Sequence, residues 1–93
     1  MMLDGSAIPR RITGAAMGNT IDEELLLLNV RTGRFHGLGG VALAVWEAID
    51  GVRSLGDIQA SIAARYDVDR ATCFAEVAAF IDELRRAGLI DVD

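Results

Sequence analysis

Apolar positions follow two regimes along this chain. As far as Leu38 they come in short runs broken by glycine, asparagine and charged residues, and from Val41 onward they recur at helical spacing. The stretch Leu25 to Leu38 reads LLLLNVRTGRFHGL, two short apolar runs around Arg31-Thr32-Gly33. That pattern predicts a β-hairpin with a three-residue loop, a type I turn closed by Gly33 at positive φ. In this register Val30 faces Arg34, Leu28 faces His36 and Leu26 faces Leu38. Four consecutive leucines, Leu25 to Leu28, put apolar groups on both faces, which suits a strand inside a small sheet. Arg10 to Met17 (RRITGAAM) offers a weak first strand around Ile12, and Gly18-Asn19-Thr20 is turn-like. The expected order places Leu25–Val30 between the Ile12 segment and Arg34–Leu38, with Arg34–Leu38 as the open edge. Residues 1–9 read as a flexible tail, leaving 10–93 as one domain.

Three helices should follow. Val41, Ala42, Val45, Trp46 and Ile49 mark the first, over Val41–Asp50, with Gly51 at its C-terminal end. Ser54 is an N-cap for the second, with Asp57 three residues on as its capping-box partner, and Leu55, Ile58, Ile62 and Tyr66 line one face. Asp69 caps the third, whose stripe is Cys73, Phe74, Val77, Phe80, Ile81 and Leu84 and whose end is Gly88; Leu89-Ile90 is placed to begin a last short strand. The fold class is therefore α+β: a small winged-helix-like domain, a three-stranded antiparallel sheet followed by a three-helix bundle.

Composition and charge narrow the chemistry. The chain has 93 residues, of which 52% are hydrophobic and only 5% aromatic, so aliphatic side chains must build one modest core. Its formal charge is −5, and all 9 cations are arginine. An acidic chain whose third helix balances Glu76, Asp82 and Glu83 against Arg70, Arg85 and Arg86 argues against a nucleic-acid surface. No apolar run approaches the ~20 residues of a membrane span, and no signal peptide is visible, so a cytoplasmic protein is expected. Cys73 and His36 are the only cysteine and histidine. Cys73 falls on an apolar stripe and His36 on a strand, so neither a multi-cysteine metal site nor a complete catalytic set is expected. The expectation is a non-enzyme with no catalytic residue, metal or cofactor. Gly37-Leu38-Gly39-Gly40 is glycine-rich before a helix but lacks a phosphate-loop pattern, and Arg53-Ser54-Leu55 is not the Asp-Ser-Leu of a carrier protein.

The run LLNVRTGRFHGL, then Trp46-Glu47-Ala48-Ile49-Asp50-Gly51, Ser54-Leu55-Gly56-Asp57-Ile58 and Tyr66-Asp67-Val68-Asp69, ending Phe80…Leu84…Gly88-Leu89-Ile90, resembles the PqqD-like family of peptide chaperones, also called RiPP recognition elements. The resemblance spans about residues 20–92. It departs from the family near His36, where a Tyr or Trp is frequent, and at Gly39, where an Asn is frequent, and keeps the aromatic at Phe35 and the leucine at Leu38. It implies that the leader segment of a ribosomally made precursor peptide adds as a strand beside Arg34–Leu38, in the groove between that strand and the third helix. It also implies delivery to a modifying enzyme. A leader peptidase of a lasso-peptide pathway is the first choice, a radical-SAM enzyme as in coenzyme PQQ biosynthesis the alternative, and a winged-helix DNA-binding regulator the more distant one. The residues themselves agree with strand addition, since an open edge is a template for pairing.

On these grounds Arg34, Phe35, His36, Gly37 and Leu38 form the expected peptide-binding edge. At about 100° per residue, Phe74, Ala78, Ile81 and Arg85 share one flank of the third helix, with Val77 near its centre. That flank is expected to receive apolar leader side chains at Phe74 and Ile81, with Arg85 at the rim. The opposite flank, Glu76, Phe80 and Glu83, is the competing choice. Oligomeric state is not legible.

Overall fold

The computed structural model describes residues 5–93. Its elements are β1 (Pro9–Arg11), β2 (Ala16–Ile21), β3 (Glu24–Asn29), β4 (Phe35–Leu38), α1 (Gly40–Ala48), α2 (Leu55–Arg65), α3 (Arg70–Arg86) and β5 (Ile90–Val92). β2, β3 and β4 form an antiparallel sheet in that order, and β1 pairs with β5 in a separate two-stranded ribbon. The α+β class, the central place of the leucine run and the open β4 edge are as expected. The helices pack on one face of the sheet around Val45, Ile49, Leu55, Ile58, Ile62, Val77, Ile81 and Leu84. No helix among the described residues is long and apolar enough to cross a membrane.

The first strand of the sheet is not the Ile12 segment. It is AMGNTI, which contains the Gly18-Asn19-Thr20 expected as a turn. The turn lies instead at Asp22-Glu23, where both residues take positive φ (49° and 67°) between the paired Ile21 and Glu24. A two-residue hairpin with both φ positive is the type I′ arrangement that matches strand twist, usually built from Asn and Gly. Gly18 suits its strand because a Cβ there would meet the Leu25 and Leu27 side chains at 3.0 and 3.4 Å.

The β3–β4 register differs from expectation by one residue. Leu25 faces Leu38, Leu26 faces Gly37, Leu27 faces His36 and Leu28 faces Phe35. The cause is Asn29, whose side-chain oxygen accepts the N–H groups of Arg31 and Thr32. Its N–H donates to the Arg34 carbonyl, and its carbonyl accepts from Gly33, so the loop holds four residues rather than three. A slip of one turns every β3 side chain over. Leu25 and Leu27 therefore look into the core, while Leu26 and Leu28 join Phe35 on the outer face.

The amino-terminal segment also departs from expectation. Residues 1–4 of the expected tail lie outside the described residues. Gly5 to Pro9 are docked: the Ala7 and Gly5 carbonyls accept from the Leu55 and Gly56 N–H groups, two of the free donors at the start of α2. Ala7 and Pro9 are buried. Ile8 exchanges hydrogen bonds with Asp93, and Arg10 pairs with the Asp93 carboxylate, which extends the β1–β5 ribbon by one residue pair.

Candidate peptide-binding site

β4 has one paired and one free side. From the Asn29–Arg34 bond, antiparallel alternation makes Leu27–His36 and Leu25–Leu38 the bonded pairs. The N–H and C=O groups of Phe35 and Gly37 then point away from β3. Their side-chain positions lie on the outer face, where Phe35 is 63% exposed. His36 and Leu38 face the helices, His36 half-buried and Leu38 buried.

β4 runs through Gly39 into α1. Gly40 opens that helix at φ +56°, a conformation that glycine adopts without strain. Three residues past Leu38, Val41 begins the wall of an apolar groove of about 270 Å3. The groove is formed by Val41, Ala42 and Val45 of α1 and by Cys73, Val77, Glu76 and Phe80 of α3, with Ile62 and Val68 closing it. Glu76 is the one charged residue in that lining. The Cys73 thiol is buried, as its place on the stripe predicts.

The expected flank of α3 is occupied otherwise. Ile81 has no exposed surface and Val77 almost none, and both belong to the core. Phe74 is half-buried, with the Arg70 guanidinium over its ring at 5.2 Å, and its carbonyl accepts from the Gln59 side chain at 2.8 Å. Ala78 is half-buried against the core. Arg85 is held by Asp82 on its own helix. Of the expected α3 residues only Val77 reaches the groove. The side open toward the start of α1 is the competing one, Glu76 and Phe80. The helical stripe of α3 is too wide to fix its angle about the helix axis from spacing alone. The α2–α3 clip from Gln59 to Phe74, which helps to set that angle, has no sequence pattern.

Asn29, which no sequence pattern singles out, holds the edge in place. Buried to 2% exposure, it donates from its amide nitrogen to the Ala87 carbonyl at the end of α3, 3.0 Å away. Arg31 donates to the same carbonyl at 3.0 Å. The β3–β4 turn is thus fastened to α3. Among the described residues no group of three or more potential metal-binding side chains is gathered.

Comparison with known proteins agrees with this architecture. The family model described as coenzyme PQQ synthesis protein D (PqqD) matches residues 24–90. No curated protein sequence matches. A solved structure described as TbiB1 in complex with the TbiA(beta) leader peptide superposes with a TM-score of 0.74 at 30% identity, covering 87% of this chain and 94% of that one. A second, described as lasso peptide synthetase B1 complexed with the leader peptide, gives the same TM-score at 20% identity, covering 92% of this chain and 98% of that one, and shows the fold alone. With the family model spanning the sheet from β3 to the start of β5 and all three helices, the chain belongs to the PqqD family.

Proposed function

We propose that this protein binds the leader segment of a ribosomally made precursor peptide as a fourth strand on β4 and delivers it to a modifying enzyme, with a lasso-pathway leader peptidase favoured over a radical-SAM enzyme. The observation that carries this reading is the open β4 edge, whose chain runs on through Gly39 to Val41 at the wall of the apolar α1–α3 groove. The main-chain groups of Phe35 and Gly37 are free to pair with any sequence. A strand laid there turns alternate side chains toward the helices and the groove walls of Val41, Val77 and Phe80. The others fall on the outer face beside Phe35. The resemblance to a leader-peptide complex at 30% identity supports leader over other peptides.

This assignment of donors separates two neighbouring substitutions. Gly37→Pro removes an outward N–H and leaves the β3 ladder bonds intact, whereas His36→Pro removes an inward one. Leader affinity, measured by calorimetric titration with the precursor encoded beside the gene, should fall about 5-fold or more in folded Gly37→Pro, the equivalent of one hydrogen bond. His36→Pro should instead lower thermal stability. Unchanged leader affinity in a folded Gly37→Pro variant would refute edge pairing.

A further inference from the structure

The sheet has a second open edge, on β2. Val30 donates to the Ala15 carbonyl at 3.0 Å, so alternation puts Met17, Asn19 and Ile21 in bonded pairs with β3. The main-chain groups of Ala16, Gly18 and Thr20 then point outward, and among the described residues no strand pairs with them. This edge is six residues long and carries no charge and no proline. Native proteins blunt open edges with charge, proline, bulges or brevity, and β2 has none of these. On its helix side lies a groove of about 530 Å3 lined by Leu43, Trp46 and Glu47 of α1 and by Arg11 to Gly14 ahead of the strand.

We infer that β2 pairs with β2 of a second copy of this chain, antiparallel about a two-fold axis at Asn19. The edge is self-complementary in that register. Gly18 and Thr20 of one copy exchange main-chain bonds with Thr20 and Gly18 of the other, four bonds in all. On the outer face Met17 (66% exposed) lies across from Ile21 (53% exposed) of the second copy, twice, and the two Asn19 side chains meet at the axis. A two-fold at Gly18 would set Met17 against Asn19. It would also carry the Asp22-Glu23 turn of the second copy two residues further, from opposite Ala16 and Ala15 to opposite Gly14 and Thr13, inside the turn that the Ala15–Ile12 bond closes. Pairing through β2 leaves both β4 edges free, one at each end of a six-stranded sheet. The contact is smaller than the roughly 1,200 Å2 of a standard interface, so association depends on concentration.

The test is sedimentation velocity on the full chain without leader peptide, from about 10 μM to about 1 mM, the range a small interface reaches. The weight-average mass should rise from monomer toward dimer. Asn19→Lys, which sets two ammonium groups against each other at the axis, should stay monomeric while keeping its fold and its leader affinity. Asn19→Cys oxidised with diamide should give a covalent dimer, because residues directly opposed in a non-bonded pair have Cα atoms about 4.5 Å apart, within disulfide reach. Thr20→Cys, offset from the axis, should not. A single monomeric species throughout, or a dimer that survives Asn19→Lys, would overturn the inference. Neither outcome touches the reading of β4, which the leader titration tests separately.

Discussion

Asn29 joins the turn, the register and the end of α3 through one side chain. Its oxygen accepts two turn N–H groups, and its nitrogen reaches Ala87. A buried amide with every partner supplied stabilises modestly, but removing it strands those partners. Asn29→Ala should therefore cost about 1–3 kcal/mol in a denaturant melt. It should also weaken leader binding beyond what Arg31→Ala does, because β4 loses its register. Asn29→Asp keeps the acceptor but sets a buried carboxylate oxygen against the Ala87 carbonyl, and should cost at least as much stability as Asn29→Ala. At the residue scale the sequence was legible where the chemistry is local. Ser54 and Asp57 form the expected capping box, and Asp69 accepts from Thr72 at the start of α3. Asn29 was not legible, because its main partner is 58 positions away.

At the scale of elements, one hairpin turns at the expected glycine with an extra loop residue, and the other turns at residues that no pattern marks. Gly33 takes the positive φ expected of it, but the loop gained a residue because an Asn side chain replaced part of the ladder. The β2–β3 turn is made of Asp22 and Glu23, neither of which advertises a left-handed conformation, so the sequence does not mark it. Holding two non-glycine residues there costs about 1 kcal/mol each, so Asp22→Asn with Glu23→Gly should stabilise the domain. A gain of about 1 kcal/mol should raise the melting temperature by about 4–8 °C in a domain of this size. An unchanged or lower melting temperature would mean that the acids serve another contact. The helices carry a pH dependence of their own. Backbone hydrogen bonds from Thr72 and from Arg53 hold the Asp69 and Asp50 carboxyls below the usual carboxylate value, and hydrogen bonds from Arg85 do so for Asp82. A carboxyl lowered by folding stabilises fully above its unfolded value, about 3.9, and that share is lost as pH falls through its folded value. Acid unfolding should begin below about pH 4, and in Asp69→Ala, already weakened by the lost cap, it should be less steep.

For the whole molecule, the two flanks of α3 differ in what they can offer a bound peptide. Spacing along α3 correctly marked a broad apolar stripe, but it could not show that Ile81 would be fully enclosed while Phe80 stays half-buried on the groove. The stripe serves two purposes at once: its centre and one flank join the core, and its other flank faces the start of α1. Core truncation and site truncation should therefore separate cleanly. Ile81→Ala should remove about 2–5 kcal/mol of stability, as a buried aliphatic does when the cavity cannot collapse. Leader affinity should hold in whatever fraction remains folded. Phe80→Ala removes a ring that is partly wet in the free protein, so its cost in stability should be smaller. Its leader affinity should drop by about 1–3 kcal/mol, because a leader seated as proposed would finish burying that ring. Glu76→Gln, at the same rim, should leave stability unchanged and alter only the contribution of a charged leader residue beside it. The paired measurement is a thermal melt and a leader titration on each variant. Affinity lost in Ile81→Ala at full folding and retained in Phe80→Ala would return the site to the flank of Phe74 and Arg85.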